Sequence, residues 1–323
     1  MIITSEVLNA LRTSGSAAFV GALQGVVPQF EKVATTVSST SKSNTYGWLG
    51  KMPGMREWIG PREHKSMKEH SYSITNRKFE ETVDVARDDI EDDLLGTYRP
   101  LFSELGRSAA ILPDELVFGL LASGFTENCY DGKKFFAADH KRYANADGTG
   151  TATNVSNMMS ETTYTGDAWY LLDTSRSVKP LIFQDRRKPS LVARTNLNDP
   201  SVFENDTFVF GADMRCNAGF GFWQMAFGAK AELNAENLKA ARAAMRGFKA
   251  DGGKQLGIKP NLLVVPASLE DKARTLLERE MTSEVVTVQT GVDGSGNPVY
   301  AEQTVSVSND MKGAFELLVA DYL

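Results

Sequence analysis

Val178-Lys179-Pro180-Leu181-Ile182-Phe183-Gln184 reads as a short apolar strand, and the charged run Asp185-Arg186-Arg187-Lys188-Pro189 behind it as the proline turn that ends it. A second strand is expected over Asp206-Thr207-Phe208-Val209-Phe210-Gly211, followed by a turn around Asp213 to Asn217. Beyond that turn, Ala218-Gly219-Phe220-Gly221-Phe222-Trp223-Gln224-Met225-Ala226-Phe227 alternates. Period two places Phe220 and Phe222 on one face and Gly219, Gly221, Trp223, Met225 and Phe227 on the other. Glycine weakens a strand, so two at alternate positions imply that another backbone or a large ring packs against that bare face. The whole tract invests in paired strands and offers almost no group that could do chemistry.

Upstream, Arg87-Asp88-Asp89-Ile90-Glu91-Asp92-Asp93 opens a long helical pattern. Ile90, Leu94, Tyr98, Leu101, Leu105, Ala109, Leu112 and Leu116 recur at spacings of three and four and form one apolar stripe. The acids at its start suit the positive end of the helix dipole, each worth about 0.3 to 1 kcal/mol when exposed. At roughly 1.5 Å per residue such a helix spans about 50 Å. Pro100 and Pro113 each remove an internal hydrogen bond, so a kink or split is expected near Arg99 and Leu112, and Gly124 ends the element.

Downstream, Asn234 caps a helix carrying Leu238, Ala241, Met245 and Phe248. Leu262 to Val265 is wholly apolar, hence a strand buried on both faces, and Ser268 starts a helix with Leu269, Ala273, Leu276 and Leu277. Two Val/Thr strands over Glu284 to Val307 enclose Gly291 to Pro298 as a projecting hairpin, and Phe315 to Val319 gives a last core strand. The mixture is an α+β chain.

The front of the chain is different. One helix is expected at Ser5 to Leu11, and much of the rest up to Asn44 is small and polar, with too little apolar area to offset its own ordering entropy. The residues fit a loose terminus as well as an arm laid over another molecule. From Thr45 to Val85 the pattern turns β-like, but Lys51 to His70 has neither helical nor strand periodicity. It carries Met52, Met55, Trp58 and Ile59 shortly after Trp48, among charged residues. Aromatics, methionine and arginine together are the composition of an interface centre, although an internal hairpin packed on its own domain has the same composition.

The blocks Lys179 to Pro189 and Gly211 to Phe227 resemble the Mu-like major head subunit, gpT, a family of major capsid proteins of tailed bacteriophages. Three further blocks agree in order and spacing. They are Arg87 to Leu121, Asp131-Gly132-Lys133-Lys134-Phe135-Phe136 with His140, and Asn261-Leu262-Leu263-Val264-Val265-Pro266-Ala267-Ser268-Leu269-Glu270. The resemblance implies a Hong Kong phage capsid-like fold: an N-terminal arm at 1–44, an extended β-hairpin loop at 45–85, a peripheral domain with a long spine helix at 86–228, and an axial α/β domain at 229–323.

It also implies many copies closing, as hexamers and pentamers, into an icosahedral shell around packaged double-stranded DNA. Scaffold and portal proteins, and where present a decoration protein, would be partners, in a virion assembled in the host bacterial cytoplasm. Arm and loop would lie across neighbouring subunits through Trp48, Met52, Met55, Trp58 and Ile59. A compact precursor would expand on packaging, with strain residing at Pro100 and Pro113.

Composition agrees with a protein of this kind. The 323 residues bury a core easily and divide into about two domains. No apolar run long enough to span a bilayer occurs, and the start lacks the basic and apolar regions of an export signal. The formal net charge of −6 argues against a nucleic-acid grip, which rewards a basic footprint, and suits a container wall that lets DNA slide. Cys129 and Cys216, the two cysteines, stand in no metal-ligand spacing and read as free thiols.

No cofactor or metal is expected, and no enzyme. Three histidines, His64, His70 and His140, are few for catalysis, and no serine sits in a nucleophile motif. Gly252-Gly253-Lys254 lacks the flanking residues of a phosphate loop, and Gly219-Phe220-Gly221 falls inside a strand. Two rival readings remain. One is an encapsulin-like nanocompartment shell. The other is a hydrolase built on Asp139 and His140.

Overall fold

The Thr4 hydroxyl accepts the Val7 N–H at 3.4 Å and opens the first helix, α1 (Ser5–Gly25), in a computed structural model that describes residues 4–49, 72–92, 95–196, 200–292 and 298–323. The helix expected at Ser5 to Leu11, with its end left open, continues through Ser14-Gly15-Ser16, and the reason is tertiary. A Cβ on Gly15 would lie 3.1 Å from the Phe102 ring, so glycine here is a notch for an aromatic, not a breaker. Residues 5–25 thus pack on the helix of the same chain that carries Phe102. Leu8, Leu11 and Phe19 are buried in that contact.

A short helix, α2 (Phe30–Val33), leads into β1 (Ala34–Ser38), and β2 (Ser43–Thr45) pairs antiparallel with β3 (Ser73–Thr75). β4 (Arg77–Ala86) passes into α3 (Arg87–Glu91), and the spine is α4 (Leu95–Ser123). Both Pro100 and Pro113 lie inside α4, which continues through them as one helix. Phe102, Leu105, Val117, Phe118 and Leu121, all buried, hold the turns on either side of the prolines, and this packing outweighs the lost hydrogen bonds.

After the loop that follows α4 come β5 (His140–Tyr143) paired with β6 (Ala152–Val155), then β7 (Met158–Ser160), β8 (Trp169–Leu172) and β9 (Leu181–Arg194). α5 (Pro200–Asn205) joins β9 to β10 (Thr207–Phe220). The strands β1-β9-β10-β4 form one sheet, with β1 parallel to β9 and the other pairs antiparallel. Here two sequence expectations fail together. β9 does not end at Pro189 and β10 does not turn at Asp213 to Asn217. The register steps from Asp213 opposite Ser190 to Arg215 opposite Arg187, leaving Lys188 and Pro189 in a bulge, where a residue without an N–H is tolerated inside a strand.

Ala218 to Phe227 is not one strand either. β10 stops at Phe220, a single 3-10 turn covers Trp223–Met225, and β11 (Ala226–Lys230) starts a second sheet. Gly221 sits at the corner, donating its N–H to Pro180 O at 2.8 Å. A Cβ there would lie 2.7 Å from that oxygen and 2.8 Å from Lys179 O. The close backbone inferred from the glycines is present at Gly221, while the space beside Gly219 is filled by the aliphatic Ile74 side chain.

α6 (Ala235–Arg246), capped by Asn234, is followed by β12 (Leu262–Pro266), α7 (Glu270–Glu278), the hairpin β13 (Met281–Val292) and β14 (Pro298–Ser308), and β15 (Glu316–Ala320). The second sheet has the order β15-β12-β8-β11-β7. Its strands are short, and α6 packs on β11 while α7 packs on β12 and β15. β8 and β12 are buried throughout, as Leu262 to Val265 implied. The sheet draws strands from both sides of positions 228 and 229, and that boundary falls within β11. One large core runs from Phe30 and the start of β9 to Ala320, and a smaller one lies between α1, α4 and the far half of β10.

Candidate self-assembly surface and its buried neighbours

The segment between β2 and β3 is closed at its two ends where the Tyr46 N–H donates to Tyr72 O at 2.7 Å. Its root is a buried polar network centred on Gln184 of β9, which is fully buried. Tyr46 donates its hydroxyl to Gln184 Oε1 at 2.8 Å, and Gln184 Nε2 donates to Ile74 O at 3.1 Å and Asn76 Oδ1 at 2.7 Å. Asn76 Nδ2 continues to Ser39 Oγ and Ser41 O, each at 2.9 Å. A buried network with its donors and acceptors paired fixes direction, since any displacement strands a polar group at about 1 to 3 kcal/mol. Tyr72 accepts the Phe220 N–H at 2.8 Å, and burial pushes its hydroxyl up to about 12, so it stays neutral and bonded across the physiological range.

Trp48 sits on this root. Its ring lies 6.0 Å from Tyr46 and 5.7 Å from Phe222, yet 37% of the residue remains exposed. The indole is propped by its own chain and presented outward. Met52, Met55, Trp58 and Ile59 fall outside the described residues.

Pro100 is exposed on α4 and Pro113 is buried. Beside Pro113, the Asp114 carboxylate accepts the Phe30 N–H at 2.6 Å and the Gln29 N–H at 3.1 Å, tying the start of α2 to the spine. Burial raises this carboxyl, and those two N–H groups partly offset the rise. Between α4 and the four-stranded sheet runs a groove of about 390 Å³ lined by Phe79, Glu81, Leu105, Leu112, Glu115 and Met214. Ser108 at its edge donates to Glu81 at 3.1 Å. A serine bound to a carboxylate, with no imidazole beside it among the described residues, is not an activated nucleophile.

The pair Asp139 and His140 does not form. Asp139 bonds outward to Lys133, half exposed, and that ammonium holds its carboxyl low. His140, fully buried, places Nδ1 2.6 Å from Asp131 Oδ2 and Nε2 3.3 Å from Phe135 O, and stacks flat on Trp223 at 4.0 Å and 7°. The other Asp131 oxygen accepts from Cys129 Sγ at 3.1 Å and from the Lys133 N–H at 3.0 Å. Burial pulls the Asp131 carboxyl up, but the hydrogen bond and charge of His140 outweigh it and leave it below the ordinary range. Burial raises the Cys129 thiol. This trio was missed because sequence adjacency drew His140 to Asp139. The turn Cys129-Tyr130-Asp131-Gly132-Lys133, with Gly132 at a positive φ of 77°, was the available signal.

A family model described as Mu-like prophage major head subunit gpT matches residues 8–323. The chain is 50% identical over 323 residues to the major capsid protein of Escherichia phage Mu, covering 100% of each. It superposes on the subunit of the bacteriophage JBD30 procapsid with a TM-score of 0.79 and 47% identity, over 99% of this chain and 100% of that one. On the JBD30 capsid decorated with minor capsid protein trimers the TM-score is 0.70 and the identity 34%, over 91% and 90%.

Proposed function

Because the chain belongs to the Mu-like prophage major head subunit gpT family and is a major capsid protein of a tailed phage, we propose how labour is divided along it when copies of it build the head. The loop between Tyr46 and Tyr72 is the reaching element. It lays Met52, Met55, Trp58 and Ile59, together with Trp48, on a neighbouring subunit. The observation that carries this is the pairing of a fully buried, hydrogen-bonded root at Gln184 with an outward-facing Trp48 beside it. A stiff root aims a loop. Many modest contacts of this kind, linked in one surface, act at high effective concentration while each stays weak enough to correct errors.

The body divides by sheets. The four-stranded sheet with α1 and α4 is the peripheral part, and the five-stranded sheet with α6 and α7 is the axial part, with the chain crossing between them ahead of β7, again after β8, and a third time at Gly221. Strain released during shell maturation is placed at Pro100 and Pro113. The role is architectural, without catalysis, in keeping with His140 being locked between Asp131 and Trp223. The net charge of −6 suits an inner wall that holds DNA without sequence-specific contact. Scaffold, portal and decoration proteins are its further partners, and assembly takes place in the host cytoplasm.

Deleting 52–68 tests the loop. The expected product is a soluble subunit with an unchanged circular dichroism spectrum that no longer closes into shells under the electron microscope. Normal shells from that variant would remove the loop from the assembly.

A further inference from the structure

We propose that Cys129, Asp131 and His140 form a divalent metal site of the zinc class, with three protein ligands and one position left for water. The three donor atoms lie within 4.8 Å of one another. Cys129 and His140 are 5% and 0% exposed, and the Asp131 side chain, at 17%, provides the opening. A thiolate, an imidazole and a carboxylate together suit zinc, and disfavour magnesium or calcium, which demand oxygen.

The placement of His140 argues independently for a cation. Phe135 O, which also accepts from Asn157 Nδ2 at 2.8 Å, can only accept, so the tautomer that satisfies Nε2 there carries its hydrogen on Nε2. With that hydrogen on Nε2, a neutral ring turns the Nδ1 lone pair toward an Asp131 oxygen 2.6 Å away. Two lone pairs at that separation need a positive centre between them, either a second proton or a metal. Metal-bound imidazoles commonly donate their other nitrogen to a backbone carbonyl, which is the arrangement here. Zinc distances of about 2.3 Å to sulfur and about 2.0 Å to nitrogen and oxygen call for donors roughly 3 to 4 Å apart. With one donor atom from each residue, all three lie within 4.8 Å of one another, so Nδ1 and Oδ2, now 2.6 Å apart, part by about half an ångström while the sulfur closes by about one.

On binding, the Cys129 proton and any proton on Nδ1 pass to water, leaving sulfur and nitrogen to the metal. The site would clamp the loop between α4 and β5 onto Trp223, at the turn where the chain passes from one sheet to the other.

The test uses the purified full chain, stripped with a chelator, dialysed, and titrated with cobalt(II) alone. The expected result is one equivalent bound per chain, with visible bands of tetrahedral cobalt and a near-ultraviolet sulfur-to-cobalt band, both abolished by zinc. Cys129→Ser should lose the sulfur band while Cys216→Ser keeps it, and zinc should raise the melting temperature of the parent but not of Cys129→Ser. Asp131→Asn, which preserves shape, should weaken cobalt binding at least tenfold if Cys129→Ser fails to fold. The proposal is overturned if the parent binds no cobalt, binds it without the sulfur band, or keeps that band in Cys129→Ser. Any of these leaves the trio as a hydrogen-bonded cluster.

Discussion

The two cores of this subunit are built on opposite plans. The large one, around β8, β11 and β12, is sealed by sheet and helix from the same chain, and strand after strand is buried on both faces. The smaller one, under α1, is a seam in which Leu8, Leu11 and Ala18 of a single terminal helix cover Val85, Phe102, Phe208 and Phe210. β9 passes through both regimes, buried along Leu181 to Gln184 and alternating from there to Arg194. The first core stands without help, and the second depends on one removable element.

Five substitutions probe the contrast, from the largest effect on subunit stability to the smallest. Trp169→Ala empties the centre of the sealed core, where the indole donates to Ala231 O at 2.9 Å. A loss of about 3 to 5 kcal/mol is expected, seen as insoluble protein or a collapsed denaturation midpoint. A soluble variant with an unchanged midpoint would mean that this core is not the self-sufficient one.

Gly106→Leu forces a side chain into the Phe19 backbone and should lift α1 from α4 at a cost of about 1 to 3 kcal/mol. The large core should persist. Limited proteolysis should then cut within the first 25 residues and leave the remainder intact. Concerted cleavage throughout the chain would show the two cores to be one cooperative unit.

Gln184→Leu leaves Tyr46, Asn76 and Ile74 O without their shared partner, costing about 1 to 3 kcal/mol by chemical denaturation. Its shells should form with lower yield because the loop is no longer aimed. Trp48→Ala, at an already exposed position, should shift subunit stability by no more than about 0.5 kcal/mol yet lower the melting temperature of assembled shells, with Trp58→Ala acting likewise. Shells as stable as the parent's would separate both indoles from assembly.

The sealed core was the more legible of the two in the sequence. Leu262 to Val265 announced a strand covered on both sides, and Gly221 announced a close backbone that proved to be Lys179 and Pro180. Local signals failed where long-range packing overruled them. Ser14-Gly15-Ser16 looks like a helix end until Phe102 fills the glycine notch. Pro189 looks like a strand end until a bulge in the pairing with β10 absorbs it. His140 and Asp139 look like a pair, but adjacent residues entering a strand point opposite ways, and the partner nine positions back cannot be read from spacing alone.

The glycines that let α1 lie on α4 are matched. Gly15 receives Phe102, and Gly106 receives Phe19. One notch holds a ring and the other the Phe19 backbone itself, so sliding is opposed at two points: a shift would press the Phe102 ring and the α1 backbone against side chains with no glycine to receive them. Any change of shape involving these helices is therefore confined to two outcomes, carriage of the pair as one rigid bar or complete undocking. A gradual creep of one helix along the other has no path through this joint.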